Sequence, residues 1–346
     1  MAAALLGVCA LLGYRGEVAL VEPEFVAQAQ APVLVPLDPA QVAGQIEPVL
    51  VNIDADAGGF GLGAAGSGIV LTADGQILTS HHVIKGAESL RVTDVANGLV
   101  YDATVLGYDS GADIALLSLG GAAGLPTARL GTSSDLRMSQ DVLAIGDAGG
   151  DGGAPTSVAG PITDLDATIV AMNSADLTRK ALNGMLEIAA PVMGGQSGGA
   201  LADASGSVVG VITAASGENA RTEGRPANGY AVPIDTAMRI VAQIRSGTPT
   251  ETVHIGPTAT LGVQVMDARP AGAQVSWAFH GQPAREAGIN IGDVITAVDD
   301  TPVITAKALS AAISVRKPAD LIRLTVTAPN GSIRTIEVVL AHGTPN

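Results

Sequence analysis

Between about Ile46 and Ile234 the chain alternates short apolar runs with clusters of Gly, Asp, Asn and Pro. That spacing predicts strands joined by tight turns, and over this length a pair of all-β barrels. Gly66-Ser67-Gly68-Ile69-Val70-Leu71, an Asp74-Gly75 turn and Ile77-Leu78-Thr79 read as strand, turn, strand. A short turn carrying His81 and His82 follows. Ile114 to Leu119 reads as an apolar strand with Asp113 at its start. Tyr108-Asp109-Ser110-Gly111 before it reads as an exposed turn. Residues 32 to 46, rich in Pro, Val and Gln, read as an extended lead-in. The stretch from Asp147 to Thr156 is glycine-dense and is expected to be a mobile loop.

The period changes at Asp235. Ala237, Ile240, Val241 and Ile244 fall on one face of a helix that Asp235 can cap and Gly247 can stop. Ser246 to Thr252 reads as a linker. A smaller α/β module follows, with a helix expected from Thr305 to Ile313.

Composition narrows the class. The 346 residues suffice for two domains. Hydrophobic residues make up 47% and aromatic ones only 2%, so the cores must be built from Val, Ile, Leu and Ala. A net charge of −15, with Arg316-Lys317 as the longest basic cluster, excludes a phosphate-tracking surface and hence a nucleic-acid partner. Cys9 is the single cysteine, so an intramolecular disulfide and a cysteine metal site are excluded. His81 and His82 are adjacent rather than spaced for a helix face, and no metal or cofactor is expected.

The apolar run Ala2 to Leu12 is too short to span a bilayer and resembles a signal-peptide core. Ala27-Gln28-Ala29 and Ala29-Gln30-Ala31 offer cleavage sites. No basic residue precedes the run, so an uncleaved N-terminal anchor is the alternative and the only expected contact with a membrane. Export to the cell envelope or beyond is the expectation. A cysteine-free mature chain tolerates an oxidising compartment.

The candidate chemistry centres on Gly194-Gly195-Gln196-Ser197-Gly198-Gly199. Glycine lets the backbone turn sharply and brings N–H groups near a ligand, as an acyl-transfer nucleophile requires. The segment is equally a plain Gly/Ser loop unless a base and an orienting acid exist. His82, at a strand end, is the candidate base, although a surface histidine pair reads the same way. Asp113 is the candidate acid, because the start of a core strand supplies the burial that such an acid needs. Asp109 competes with it. His254 falls in the linker-like region, His280 in the other domain and His342 in the tail. The resulting order His82, Asp113, Ser197 is that of chymotrypsin-type barrels, not of subtilisins or α/β-hydrolases.

Thr79-Ser80-His81-His82-Val83-Ile84, Asp113-Ile114-Ala115-Leu116-Leu117 and Gly195-Gln196-Ser197-Gly198-Gly199-Ala200-Leu201 resemble the three signature blocks of the HtrA/DegP serine proteases. Ile244-Arg245-Ser246-Gly247 and Val253 to Ala259 resemble, more narrowly, the secreted PepA-type proteases of mycobacteria. Pro283 to Asp299 resembles the helix–turn–strand block of a PDZ domain, and Thr260-Leu261-Gly262-Val263 its carboxylate-binding loop.

The resemblance implies a mainly β chain: a chymotrypsin-like double β-barrel protease domain over 32–245, a linker over 246–257 and a smaller α/β PDZ domain over 258–346. Residues 1–31 would be the signal peptide or anchor. It implies a serine endopeptidase acting on unfolded polypeptides in envelope or secreted protein quality control. His82 would be the base, Asp113 its orienting acid and Ser197 the nucleophile. Gly195, Gln196 and Ser197 would supply the oxyanion-hole amides. Val192, Thr213 and Ala214 would contact the substrate. Ile188 to Val192 carries no carboxylate, which points to small or medium aliphatic residues before the cleaved bond. Leu261, Gly262 and Val263 would hold C-terminal peptides by strand addition. Homo-oligomers are known in such families, but only Tyr14, Phe25 and Phe60 are available near the N-terminus for the usual aromatic contact.

Departures from the family pattern cluster before the nucleophile. Met193-Gly194-Gly195-Gln196 replaces Asn-Pro-Gly-Asn, Ile188-Ala189-Ala190 replaces Thr-Asp-Ala, and His81 replaces Asn or Ala. They define the alternative: a catalytically weak or inactive HtrA-like chaperone or peptide-binding protein.

Overall fold

The computed structural model describes residues 35–57, 63–172, 179–215 and 228–345, and residues 35–346 form one compact unit. The expected signal segment and Phe60 lie outside the described residues.

From Pro39 onward the lead-in is not extended. Pro39–Ile46 forms helix α1, with Pro39 in its first turn and Asp38 accepting from the Gln41 N–H at 3.1 Å. A proline and an aspartate in these places favour a helix start. Val42 and Ile46 are buried, so the Pro- and Val-rich composition hid an amphipathic turn.

The first barrel takes β1 (Leu50–Asp56), β2 (Ala64–Val70), β3 (Gln76–Thr79), β4 (Ser89–Asp94), β5 (Val100–Asp109) and β6 (Ile114–Leu119). A one-turn helix α2 (His81–Ile84) follows β3. These strands run in the order β5-β4-β1-β2-β3-β6, and a β5–β6 pairing closes them. The second is a closed barrel of β7 (Asp141–Gly146), β8 (Thr156–Met172), β9 (Arg179–Ile188), β10 (Ala200–Ala202), β11 (Val208–Ala215) and β12 (Gly229–Pro233).

Near-continuous apolar strands serve two cores at once. Successive side chains of a strand face opposite sides. Val142 and Ala144 therefore fill the second barrel, while Leu143 and Ile145 join the layer between the barrels. Ile69, Leu78, Leu116, Val211 and Val232 lie in that same layer. Val70, Ile77 and Leu117 turn into the first barrel. The layer fixes one barrel against the other, which is what a site assembled from both requires.

Helix α3 (Ile234–Arg245) covers the layer with Ile234, Ala237, Ile240, Val241 and Ile244. Asp235 does not cap it. Pro233 occupies the N-cap, and Asp235 accepts instead from the Ser134 N–H at 3.0 Å. Part of the expected linker is structured too: β13 (Val253–Ile255) pairs with the end of β5 and extends the first sheet to seven strands. Tyr108 and Asp109, expected in an exposed turn, are buried there, and Asp109 accepts from the Ala112 N–H at 3.0 Å.

Beyond β13, β14 (Ala259–Thr260) pairs with β21 (Ala341–His342). A sheet of β15 (Val263–Asp267), β16 (Ala273–Ala278), β17 (Val294–Val298), β19 (Leu321–Thr327) and β20 (Ile333–Val339) follows, with β18 (Thr301–Pro302) on β17. Helices α4 (Pro283–Glu286) and α5 (Ala306–Ser314) complete the module. Thr305 caps α5, accepting from the Ala308 N–H at 3.1 Å. Leu261, Val275, Ile295, Leu309, Leu324 and Val338 form its separate core. No helix among the described residues is long and apolar enough to cross a membrane.

Candidate active site

The site lies where α2 and the start of β6 in the first barrel meet the β9–β10 loop and β11 of the second. His82 sits in α2, where its backbone N–H donates to Asp113 Oδ1 at 2.9 Å and its Nδ1 lies 2.7 Å from Asp113 Oδ2. A carboxylate only accepts, so Nδ1 carries the proton and Nε2 is left to take another. Asp113 is buried and has φ +59, a left-handed conformation that Asp tolerates better than most residues. Its carbonyl accepts from the His81 N–H at 3.2 Å, tying α2 to the start of β6.

Burial works against both charges of this pair. It pulls His82 down, yet the charge and hydrogen bond of Asp113 outweigh it and hold the imidazole above its ordinary value. Burial pushes Asp113 up, but His82 and the hydroxyl of Thr213 more than offset it and hold the carboxyl low. Each partner stabilises the other's charged form.

Ser197 follows Gly194 and Gly195 in the β9–β10 loop. Its Oγ donates to the Thr213 carbonyl at 3.4 Å and makes no hydrogen bond to His82. Around it the backbone is dense. The Ser67 N–H donates to the Ser197 carbonyl at 2.8 Å, and the Gly198 N–H to the Ile212 carbonyl at 2.7 Å. A Cβ on Gly198 would lie 2.1 Å from the Ser67 carbonyl, so only glycine fits.

Among the described residues, neither the Gly195 nor the Ser197 N–H has a hydrogen-bond partner. The Gln196 N–H, expected beside them, turns away and donates to the Met193 carbonyl at 3.2 Å. The Gln196 side chain is fully buried: Oε1 accepts from the Met193 N–H and Nε2 donates to the Thr156 carbonyl, each at 2.9 Å. It staples the loop to the start of β8.

The expected substrate contacts divide. Thr213 is buried and its hydroxyl donates to Asp113 Oδ2, so its side chain supports the acid rather than facing outward. Ala214 pairs with Tyr230 on the β12 side, while the β10 pairing ends at Val211. Val192 is buried and packs where a Cβ on Gly229 would stand, 2.3 Å from its Cγ2. In the third module Gly262 has φ +72, and its carbonyl and that of Leu261 accept from Phe279 and Ala284 N–H groups at 3.0 Å. Val263 opens β15, which among the described residues is paired on one side only.

Three features escaped sequence reasoning. Ser67 Oγ bridges Asp147 and Gly195. The Gly149 N–H holds the Gly194 carbonyl at 2.8 Å, so the glycine-dense loop is tied into the site. His81 stacks on Tyr108 at 4.7 Å between ring centroids, and Tyr108 on His254 at 5.0 Å. His254, placed in the linker by its sequence, thus packs under the site while its ring nitrogens lie 3.0 Å from the Ser314 and Gly256 carbonyls. The Gly66-Ser67-Gly68 triplet was the one legible signal among these.

Residues 66–211 match the family model of the trypsin-like peptidase domain, and residues 259–340 that of the PDZ domain. The chain is 34% identical over 313 residues to the serine protease PepD of Mycobacterium tuberculosis (strain ATCC 25618 / H37Rv), covering 87% of this chain and 65% of that protein. These matches make the chain similar to HtrA-type proteases. A probable periplasmic serine endoprotease, DegP-like, of Ectopseudomonas mendocina (strain ymp) is 28% identical, with 80% of this chain and 56% of that protein covered. The chain thus spans between half and two thirds of the length of these relatives. Among solved structures it is similar to the HtrA-type protease AlgW with tripeptide, with a TM-score of 0.51 and 25% identity over 89% of this chain and 98% of that one. The expected fold, a double β-barrel protease domain followed by a PDZ domain, is the observed one.

Proposed function

We propose that the chain is a serine endopeptidase that cleaves polypeptides through an acyl-enzyme, with Ser197 as nucleophile, His82 as base and Asp113 as its orienting acid. The observation that carries this reading is the pairing of His82 Nδ1 with the buried Asp113, together with a Gly195 N–H, two residues before Ser197, that has no partner among the described residues. His82 Nε2 takes the Ser197 proton as Oγ bonds to the scissile carbonyl carbon. The tetrahedral oxygen accepts from the Gly195 and Ser197 N–H groups. The C–N bond then breaks, and the imidazolium gives its proton to the leaving amine. Water repeats the sequence on the ester.

Val192 against Gly229 supports a shallow pocket for small or medium aliphatic side chains. The unpaired edge of β15, beside the Leu261-Gly262-Val263 turn, supports strand addition of a C-terminal peptide. A relative named periplasmic supports export and a role in envelope protein quality control. The domain limits 32–245, 246–257 and 258–346 fit this reading, with β13 of the linker serving the first barrel.

The second reading is a weak or inactive HtrA-like peptide-binding protein. The turn of Ser197 Oγ toward Thr213 instead of His82 favours it. In unliganded sites the nucleophile–base bond often tightens only with substrate, so the first reading is preferred. The test is digestion of a denatured protein by the full chain and by Ser197→Ala. Turnover lost by several orders of magnitude in the variant supports the proposal, and equal turnover refutes it.

A further inference from the structure

The hydroxyl of Ser67, on β2 of the first barrel, is fully buried yet reaches across to the loop that carries the nucleophile. It donates to the Gly195 carbonyl at 2.9 Å and accepts from the Asp147 N–H at 2.8 Å. The residue is separated from Gly195 by 128 positions. Both partners lie in the second barrel, so a core-facing serine with no packing value of its own joins the two halves at this point.

What these bonds fix follows from peptide geometry. In a trans peptide the N–H and C=O point in opposite directions. The Gly194 carbonyl is held by the Gly149 N–H at 2.8 Å, which turns the Gly195 N–H the other way. Gly149 belongs to the loop that starts at Asp147, and the Asp147 N–H is the one Ser67 accepts from. Ser67 therefore anchors the root of the loop that sets one face of Gly195, and it pins the Gly195 carbonyl directly. Gly195 has φ +88, and a Cβ there would lie 2.1 Å from the Asp147 carbonyl, so the glycine has no side chain to hold its own orientation. The orientation must come from hydrogen bonds.

We infer that Ser67 is a positioning residue for the oxyanion hole, holding the Gly195 peptide so that its N–H faces the reacting carbonyl. This deepens the reading of Ser197 and Gly195 above and rests on it. Without the hydroxyl, the half-buried Gly195 carbonyl and the Asp147 N–H both lose a partner, and Gly195 is released to rotate its amide out of place. The loss falls on the tetrahedral state, where the hole acts, and spares ground-state binding.

The test compares the full chain with Ser67→Ala on a chromogenic peptide with an aliphatic residue before the cleaved bond, and on a peptide boronic acid that forms a tetrahedral adduct with the nucleophile. The expected result is a kcat lowered about 10- to 100-fold, with boronate affinity weakened by about the same factor. KM should stay within about twofold of the wild type, while the thermal midpoint falls by no more than several degrees, as two lost hydrogen bonds require. Wild-type kcat and boronate affinity in the variant overturn the inference. So does a loss of kcat with boronate affinity intact, since that marks general damage rather than a displaced amide. A wild-type chain that neither turns over peptide nor binds boronate overturns the endopeptidase reading, and this inference with it. The two failures are therefore distinct.

Discussion

The hydroxyl of Thr213 and the imidazole of His82 both donate to the same oxygen of Asp113, Oδ2. The second oxygen accepts the His82 backbone N–H at 2.9 Å. A buried carboxylate with both oxygens engaged stays ionised and cannot rotate. Thr213→Val keeps the shape and removes one donor. The expected outcome is a kcat reduced about tenfold, as for the loss of one hydrogen bond to a charged group. Steady-state kinetics on a peptide substrate check it, and unchanged kcat contradicts the supporting role.

On the proposed mechanism the same pair sets the pH dependence of turnover. Catalysis needs His82 neutral, and Asp113 holds it above its ordinary value of 6.5 against the opposing pull of burial. The acidic limb of kcat/KM is therefore expected to have its midpoint above pH 6.5, with activity rising as pH rises through it. A midpoint below 6.5 in the pH–rate profile contradicts the pairing. Asp113→Asn should cost about 10⁴-fold in kcat, because the amide NH2 donates to Nδ1 and leaves the ring proton on Nε2, the wrong tautomer.

His81 carries a different pH signature, in stability. Burial lowers its ring from 6.5 to about 4, although Asp113 works in the opposite direction. Between these values the unfolded chain binds a proton that the folded chain does not. Stability contributed by the neutral ring is thus present above pH 6.5 and is lost as pH falls to 4, up to about 3 kcal/mol in all. Urea unfolding at pH 7 and pH 5 should show a steeper acid loss in the wild type than in His81→Asn. Parallel losses contradict the assignment.

Gln196 tests the departure from the family pattern. Gln196→Ala leaves the Met193 N–H and the Thr156 carbonyl without the side-chain partner each now has. The expected destabilisation is about 2–3 kcal/mol, read from chemical denaturation, with kcat falling as the loop loosens. A variant with wild-type stability and kcat contradicts the staple.

Much of the candidate site was legible in the chain order of His82, Asp113 and Ser197, because each sits where a strand begins or ends and glycine marks the proposed nucleophile. The barrels were legible in the alternation of apolar runs and turn residues. What escaped depends on contacts across sequence distance. Ser67 and Gly195 meet only because Leu143, Ile145 and Ile69 pack the barrels together. Tyr108 and Asp109 resemble a polar turn until β13 covers them. Asp235 had the composition of a cap, but Pro233 took the N-cap and Ser134 took the carboxylate. Residues 39–46 needed a neighbouring barrel to bury Val42 and Ile46 before their helix paid off.

The central claim is that Ser197 is an activated nucleophile rather than a loop serine. Labelling the full chain with a fluorophosphonate, followed by mapping of the modified residue by mass spectrometry, tests it most directly. The account predicts one adduct, on Ser197, abolished by His82→Ala and strongly slowed by Asp113→Asn. A chain that remains unlabelled, or is labelled at another serine with Ser197 untouched, contradicts it.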